Sequence, residues 1–245
     1  MNRILKFLAP IALFCVPMLA SAGPGYSLAT TDVKPLDIPT FIAATDKMMA
    51  STNAQKYKGR LLLLQHIADG DDPSTLSIVS IYKSAADLEE YSNLMQNDPA
   101  RMEYMKSIVP IGSLQNTARL STVKSWGDIN DTDTIWNAHY FTVTDVPAFL
   151  AALETWFASP AGKKSPAQAH LAALSIGGLT PVTHVLSLGY ASIAEMEAFV
   201  DNNSNDPDRA ALLAALRKVS THVGADLSRT LKTWGPGSMK SLTKP

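Results

Sequence analysis

Two stretches of the chain, Thr122-Val123-Lys124-Ser125-Trp126-Gly127 and Thr230-Leu231-Lys232-Thr233-Trp234-Gly235, carry one pattern at an offset of 108 residues. The same shift aligns their surroundings without a gap. Asp37-Ile38-Pro39-Thr40-Phe41 falls on Asp145-Val146-Pro147-Ala148-Phe149, Pro73 on Pro181, and Tyr82 on Tyr190. Asn97-Asp98-Pro99-Ala100-Arg101 falls on Asn205-Asp206-Pro207-Asp208-Arg209. Identities this dense at a single shift rule out chance, and the chain reads as a tandem duplication. Whatever it folds into must be built from two copies of one unit.

Each copy can be read with two witnesses. Tyr26 to Val33 and Ile135 to Thr144 are β-prone, and Asp37 and Asp145 stand two residues before a proline that opens the helices Pro39 to Ala50 and Pro147 to Ala158. In the latter, Phe149, Leu150, Leu153, Trp156 and Phe157 recur at three and four, which gives one apolar face. Arg60 to Ala68 and Leu76 to Tyr82, like Ala169 to Ile176 and Val182 to Tyr190, read as strand, turn, strand. Helices follow at Ala85 to Met95 and Ile193 to Val200, and each Asn-Asp-Pro begins another, with Leu212, Leu213, Leu216 and Val219 as the expected buried side in the second copy. Closing strands are expected at Ala118 to Trp126 and Leu227 to Trp234. The order β-α-β-β-α-β specifies a ferredoxin-like unit, so the fold class is α+β: two tandem units with antiparallel sheets, each covered on one face by helices, whose bare faces a duplicated chain can bury against each other.

On that element order, the duplication, and the repeated Asn-Asp-Pro and Trp-Gly positions, the chain from Tyr26 to Gly235 resembles the dimeric α+β barrel superfamily, including antibiotic-biosynthesis monooxygenase-like and stress-responsive barrel proteins. The resemblance implies a barrel that is usually made by two chains and could here be made by one. It also implies cofactor-free oxygenase chemistry on cavity Asn, Trp and His residues, or haem handled through a histidine.

The divisions expected are residues 1–22 as a signal peptide, 23–127 as the first unit, 128–134 as a polar linker, 135–235 as the second unit and 236–245 as a flexible tail. Arg3 and Lys6 precede an apolar run from Leu5 to Leu19, and Ala20-Ser21-Ala22 fits a cleavage site after Ala22. The run is shorter than the roughly 20 residues of a membrane span, so a periplasmic or secreted protein free of the membrane is expected. Cys15, the single cysteine, leaves with the signal, so the mature chain has no disulfide or thiolate metal site. The 19 basic and 22 acidic residues that remain give a net charge of −3, which suits neither nucleic acid nor an anionic membrane. Monomer and homodimer both satisfy the pattern.

Nucleotide-binding, zinc-protease, hydrolase-elbow and EF-hand motifs are absent from the sequence. Asp69-Gly70-Asp71-Asp72 reads as a solvated turn because no glutamate follows to close a calcium loop. Each of the five histidines, one in the first unit and four in the second, faces a different residue type at the equivalent place of the other copy, which is the pattern a site used once would leave. His139 and His184, with Asn137, are the catalytic candidates; Trp136, Tyr190, Tyr82 and His66 are ligand-binding candidates. The catalytic reading requires His139 and His184 to point into the barrel together. Against it, each histidine can serve as a hydrogen-bonded core or rim residue, Tyr82 and Tyr190 can close the core, and both Trp-Gly tryptophans read as packing anchors. Asp98 and Asp206 read as helix caps, with Arg101 and Arg209 able to pair with them.

No convergent set of charged groups stands in the strands, so the primary reading is a small-ligand-binding or structural barrel for an apolar or aromatic molecule. The alternative is a cofactor-free monooxygenase- or isomerase-like enzyme, or a haem-handling barrel. No cofactor is expected from a motif; haem and its histidine enter through the resemblance alone.

Overall fold

The computed structural model describes residues 23–70, 72–178 and 180–243, so the expected signal segment and its cleavage point lie outside the described residues. The first half runs β1 (Gly25–Val33), α1 (Ile38–Met49), β2 (Arg60–Ala68), β3 (Leu76–Tyr82), α2 (Ala85–Met95), α3 (Pro99–Ile108) and β4 (Gly112–Trp126). The second repeats the order as β5 (Ile135–Val143), α4 (Val146–Ala158), β6 (Gln168–Gly177), β7 (His184–Tyr190), α5 (Ile193–Asn202), α6 (Pro207–Val219) and β8 (Ser220–Trp234), and a short α7 (Met239–Leu242) follows. This is the expected α+β architecture of ferredoxin-like units.

Helix starts obey local chemistry. Ser84, Asp98, Asp145, Ser192 and Asp206 each accept a hydrogen bond from a backbone N–H in the first turn of α2, α3, α4, α5 and α6, satisfying donors that the helix leaves free. Asp37 does not cap α1 with its side chain; Pro39 in the first turn marks that start instead. Arg101 and Arg209 do not pair with the capping aspartates. Each guanidinium donates to a carbonyl in or just beyond the preceding helix, Gln96 O at 3.1 Å and Val200 O at 3.3 Å.

The strand order is β1-β3-β2-β8-β5-β7-β6-β4, closed on itself. The two four-stranded sheets therefore meet edge to edge as well as face to face: β2 pairs with β8 and β4 with β6, both antiparallel. Closure removes every unpaired sheet edge within the barrel. It also explains why β4 and β8 are 15 residues long, beyond the strands expected from hydrophobic pattern. The added residues of β4, Gly112 to Thr117, pair with β1 while staying largely polar and exposed.

Strand side chains alternate between two cores. Outward-facing Leu63, Leu76, Phe141, Leu171 and Leu186 pack beneath α1, α3, α4 and α6, where Phe41, Phe149 and Leu153 are at most 2% exposed. Inward-facing Leu62, Ile81, Leu120, Trp136, Ala172 and Val185 fill the barrel. In α6, Leu216 is buried but Leu213 faces solvent, so the apolar side is narrower than the sequence suggests.

The repeated Lys-x-Trp-Gly elements clasp the two halves. Trp234, ending β8 of the second half, donates from Nε1 to Asp46 of α1 at 2.8 Å, and Lys232 lies 2.7 Å from the same carboxylate. At the equivalent place Trp126, ending β4, stacks on Phe157 of α4 at 4.8 Å, and Lys124 pairs with Glu154. Each lysine also sits over its own tryptophan, 5.9 Å and 5.7 Å from the ring centroid. Gly127 and Gly235 turn the chain at φ of 83° and 88°, and a Cβ there would come within 2.5 Å of Ala167 O and 2.4 Å of Gly59 O.

The C-terminal segment is docked rather than loose up to Thr243. Met239 of α7 is 4% exposed against Leu62, Ile81 and Trp136, its N–H donates to Asp131, and Arg60 bridges Asp131 at 2.8 Å. Together with the linker, held by Gln168 Nε2 donating to Asp133 at 2.8 Å, it stops one end of the barrel.

Candidate functional site

The two halves differ in the space between sheet and helices. In the first half a cleft of about 510 Å³ opens between the outward faces of β1, β2 and β3 and the helices α1, α2 and α3, with Trp234 at one side. That volume lies in the range of small-molecule sites, which are mostly apolar with a few placed polar groups. Phe41, Met48, Leu63, Ile78 and Met95 supply the apolar walls; Ser27, Thr45, Ser80, Tyr91 and Tyr104 supply the polar ones. Arg101, exposed at the rim, is the one charged side chain among the described lining residues.

The polar groups are positioned by the fold. Thr45 Oγ1 donates to Phe41 O within α1 at 2.9 Å. Tyr104 packs edge-on against Phe41, and the Tyr91 ring lies 4.5 Å from that of Tyr57. Burial pushes the phenols of Tyr91 and Tyr104 above the usual tyrosine value, so both remain donors at neutral pH. The cleft can hold a flat apolar molecule, donate to an oxygen on it, and present a cation at its mouth.

At the equivalent positions of the second half, this space is filled. Thr45 corresponds to Leu153, Met48 to Trp156, Ser80 to Leu188, Ser27 to Ile135 and Tyr104 to Leu212. Leu153, Trp156 and Ile135 are all buried, around a Phe149 that has no exposed surface. The second half has a packed core where the first has a cleft.

The residues singled out from the sequence fall elsewhere. His139, His184 and Asn137 alternate with Ala138, Tyr140 and Val185, which face the barrel interior, and therefore point outward beneath the helices. The paired inward histidines required of a catalytic couple are not formed. His184 stacks near Phe149 and bonds to Thr183 Oγ1 at 3.0 Å, while His139 Nδ1 meets His222 Nε2 at 3.3 Å. Burial, with His222 beside it, lowers the His139 pKa to about 4. Tyr82 and Tyr190 are 3% and 2% exposed on the same outward layer and close the core, with Arg119 Nε donating to the Tyr82 hydroxyl at 3.1 Å. Trp136 and His66 do face the interior. Trp136 is packed there, donating to Thr230 Oγ1 at 3.0 Å; His66 bonds Asp69 at 2.9 Å and Ser77 at 2.7 Å. His170, which carried no assignment, also points inward, between Ser125 and Gln168. The cleft residues carry no titratable signature in the sequence, apart from tyrosines and Arg101 at the rim. A comparison of the copies for size, Thr45 against Leu153 and Ser80 against Leu188, would have found them.

Haem was the cofactor raised by resemblance, and neither the first-half cleft nor the outward histidines of the second half fit it. The described lining of the first-half cleft holds no histidine or cysteine, and its tyrosines are held protonated. The outward histidines of the second half lie against Phe141 and Phe149, where Leu153 and Leu171 are fully packed.

No protein-family model matches the chain, and no curated protein is similar to it in sequence. Solved structures are similar in fold. A proposed monooxygenase from Lactobacillus acidophilus superposes with a TM-score of 0.60 at 10% identity, over 88% of this chain and 98% of that one. An anthrone oxidase-like protein gives 0.57 at 13% identity, over 89% and 95%. A proposed chlorite dismutase gives 0.52 at 11% identity, over 86% and 95%.

Proposed function

We propose that the protein is an oxygenase-class enzyme that binds an aromatic enol or phenol in the first-half cleft and lets it react with dioxygen directly. The observation that carries this reading is the asymmetry between the halves: Ser27, Thr45 and Ser80 line the first half's cleft where Ile135, Leu153 and Leu188 stand in the second. The monooxygenase and oxidase names of proteins sharing this fold favour turnover over binding alone. In such chemistry an electron-rich substrate anion reduces dioxygen; a ring methylene and O2 become a ring carbonyl and water. The protein then needs to bind the ring, favour the anion and keep water away. Phe41, Ile78, Met48 and Met95 would serve the first and last tasks, and the Tyr91 and Tyr104 hydroxyls with the Arg101 cation the second. The duplicated chain supplies both halves of one barrel, and cleavage after Ala22 would deliver it to the periplasm or medium.

The test is oxygen uptake with 1,8-dihydroxyanthrone, for wild type and a Thr45→Leu/Ser80→Leu variant that installs the second half's residues in the first. Uptake by the wild type that falls at least tenfold in a variant of unchanged thermal stability supports the reading. Saturable binding without uptake would leave a binding barrel, the primary reading from sequence. Neither uptake nor binding would remove this cleft as the site.

A further inference from the structure

The barrel has a second recess that the cleft does not use. Inside it remains a cavity of about 90 Å³, lined by Leu28, Leu64, Val79, Leu120 and Val185. At the end opposite α7 this interior meets an opening of about 300 Å³; Leu28, Tyr140 and Asp226 line both. The described residues around the opening include Asp69, Asp72 and Asp226, together with His66 and Asn116, and no lysine or arginine. Asp69 is engaged by His66 and Asp72 by the Ser74 N–H. Asp226, on the inward face of β8, has the Tyr140 hydroxyl as its side-chain partner, a neutral donor.

Two further groups are unsatisfied, Thr30 at the opening and Tyr26 in the interior it leads into. Thr30, 5% exposed, has a buried Oγ1 without a hydrogen-bond partner, and the buried Tyr26 hydroxyl lacks one of adequate geometry, although Ser187 lies close enough to ease the cost of ionising it. Buried polar groups are normally paired, and a buried carboxylate is costly without a cation. Among the described residues around the opening no lysine or arginine faces Asp226, and His66 is already held by Asp69 and Ser77.

We propose that this mouth binds a small organic ammonium ion, with the cationic head against Asp226 and Thr30 and a short apolar tail between Leu28, Leu64 and Val79. A carboxylate supplies the charge, the threonine hydroxyl accepts a second N–H, and the apolar interior selects an alkyl substituent over a bare metal ion. Burial raises the Asp226 pKa, a cost that a bound cation offsets. The groups facing it are Tyr140, Tyr26, His66, Asp69 and Asp72.

The test is calorimetric titration at pH 8 with n-butylamine, which is protonated there, against butyrate and calcium chloride. Butylammonium is expected to bind, butyrate not, and calcium at least tenfold more weakly. Asp226→Asn should weaken butylammonium at least tenfold, whereas Tyr140→Phe, which leaves the carboxylate, should retain binding and guards against a folding defect in the first variant. Thr45→Leu/Ser80→Leu should leave it unchanged, which separates this site from the cleft. Absence of binding to the wild type, equal binding of butyrate, or full binding by a folded Asp226→Asn protein overturns the proposal; tighter calcium binding replaces it with a metal site.

Discussion

At the residue scale, His170 shows how burial becomes a pH dependence. It sits inside the barrel between Ser125 Oγ and Gln168 Oε1, and burial lowers its pKa from 6.5 to about 4. The unfolded chain therefore takes up a proton before the folded one does. The stabilisation is complete above pH 6.5 and is lost as pH falls toward 4, with a slope of up to about 1.4 kcal/mol per pH unit from this one group. Urea midpoints measured across that window should fall less steeply in His170→Gln than in the wild type. Asp46 acts further into acid. Lys232 and the Trp234 N–H hold its carboxyl below the usual 3.8, so its contribution is present above that value and lost below it. Its side chain is 42% exposed, and Asp46→Asn at pH 7 should cost about 1 kcal/mol or less in denaturant melts. Gly235 has no such latitude. With φ at 88° and Gly59 O where a Cβ would stand, Gly235→Ala should lower stability by about 2 kcal/mol or more, seen as a drop in melting temperature.

At the element scale, the closing strands β4 and β8 matter most because each is shared between halves. Trp234 packs against the first half's core, near Leu63 and Met49, while belonging to the second half's last strand. Trp234→Ala should cost about 2–3 kcal/mol, below the cost of truncating a fully buried aromatic because the ring is partly exposed, while Trp234→Phe should cost about 1 kcal/mol for the lost hydrogen bond to Asp46. If both variants melt like the wild type, the clasp contributes nothing to stability. Most strands were legible because two copies of each pattern could be compared; β2, β3 and α2 have the expected bounds. The ends of β4 and β8 were not. Gly112 to Thr117 has the composition of a loop, and pairing with a strand distant in sequence makes it sheet. The tail escaped for a similar reason: Met239 and Thr243 are the large side chains buried among its described residues, in a recess that the assembled barrel supplies.

At the scale of the whole molecule, closure makes the halves interdependent. Residues 23–127 alone would expose both β2 and β4 as open edges, and residues 128–243 would expose β6 and β8. Expressed separately, each fragment should dimerise or aggregate, whereas coexpression should yield a one-to-one complex of full-chain mass, as read by native mass spectrometry. Two stable monomeric fragments would contradict this dependence. The 108-residue repeat by itself determined the unit, its element order and the need to bury two bare sheet faces, because periodic pattern and turn chemistry are local properties that each copy states independently. The tertiary structure alone decided which strand edges join and which face each side chain takes. That parity sends His139 and His184 under the helices and brings Asp226, Tyr140 and Thr30 together at the barrel mouth. It also decided that one copy's sheet–helix space is filled and the other's open, since a cleft is the difference between side-chain volume and backbone separation, and sequence supplies only the first.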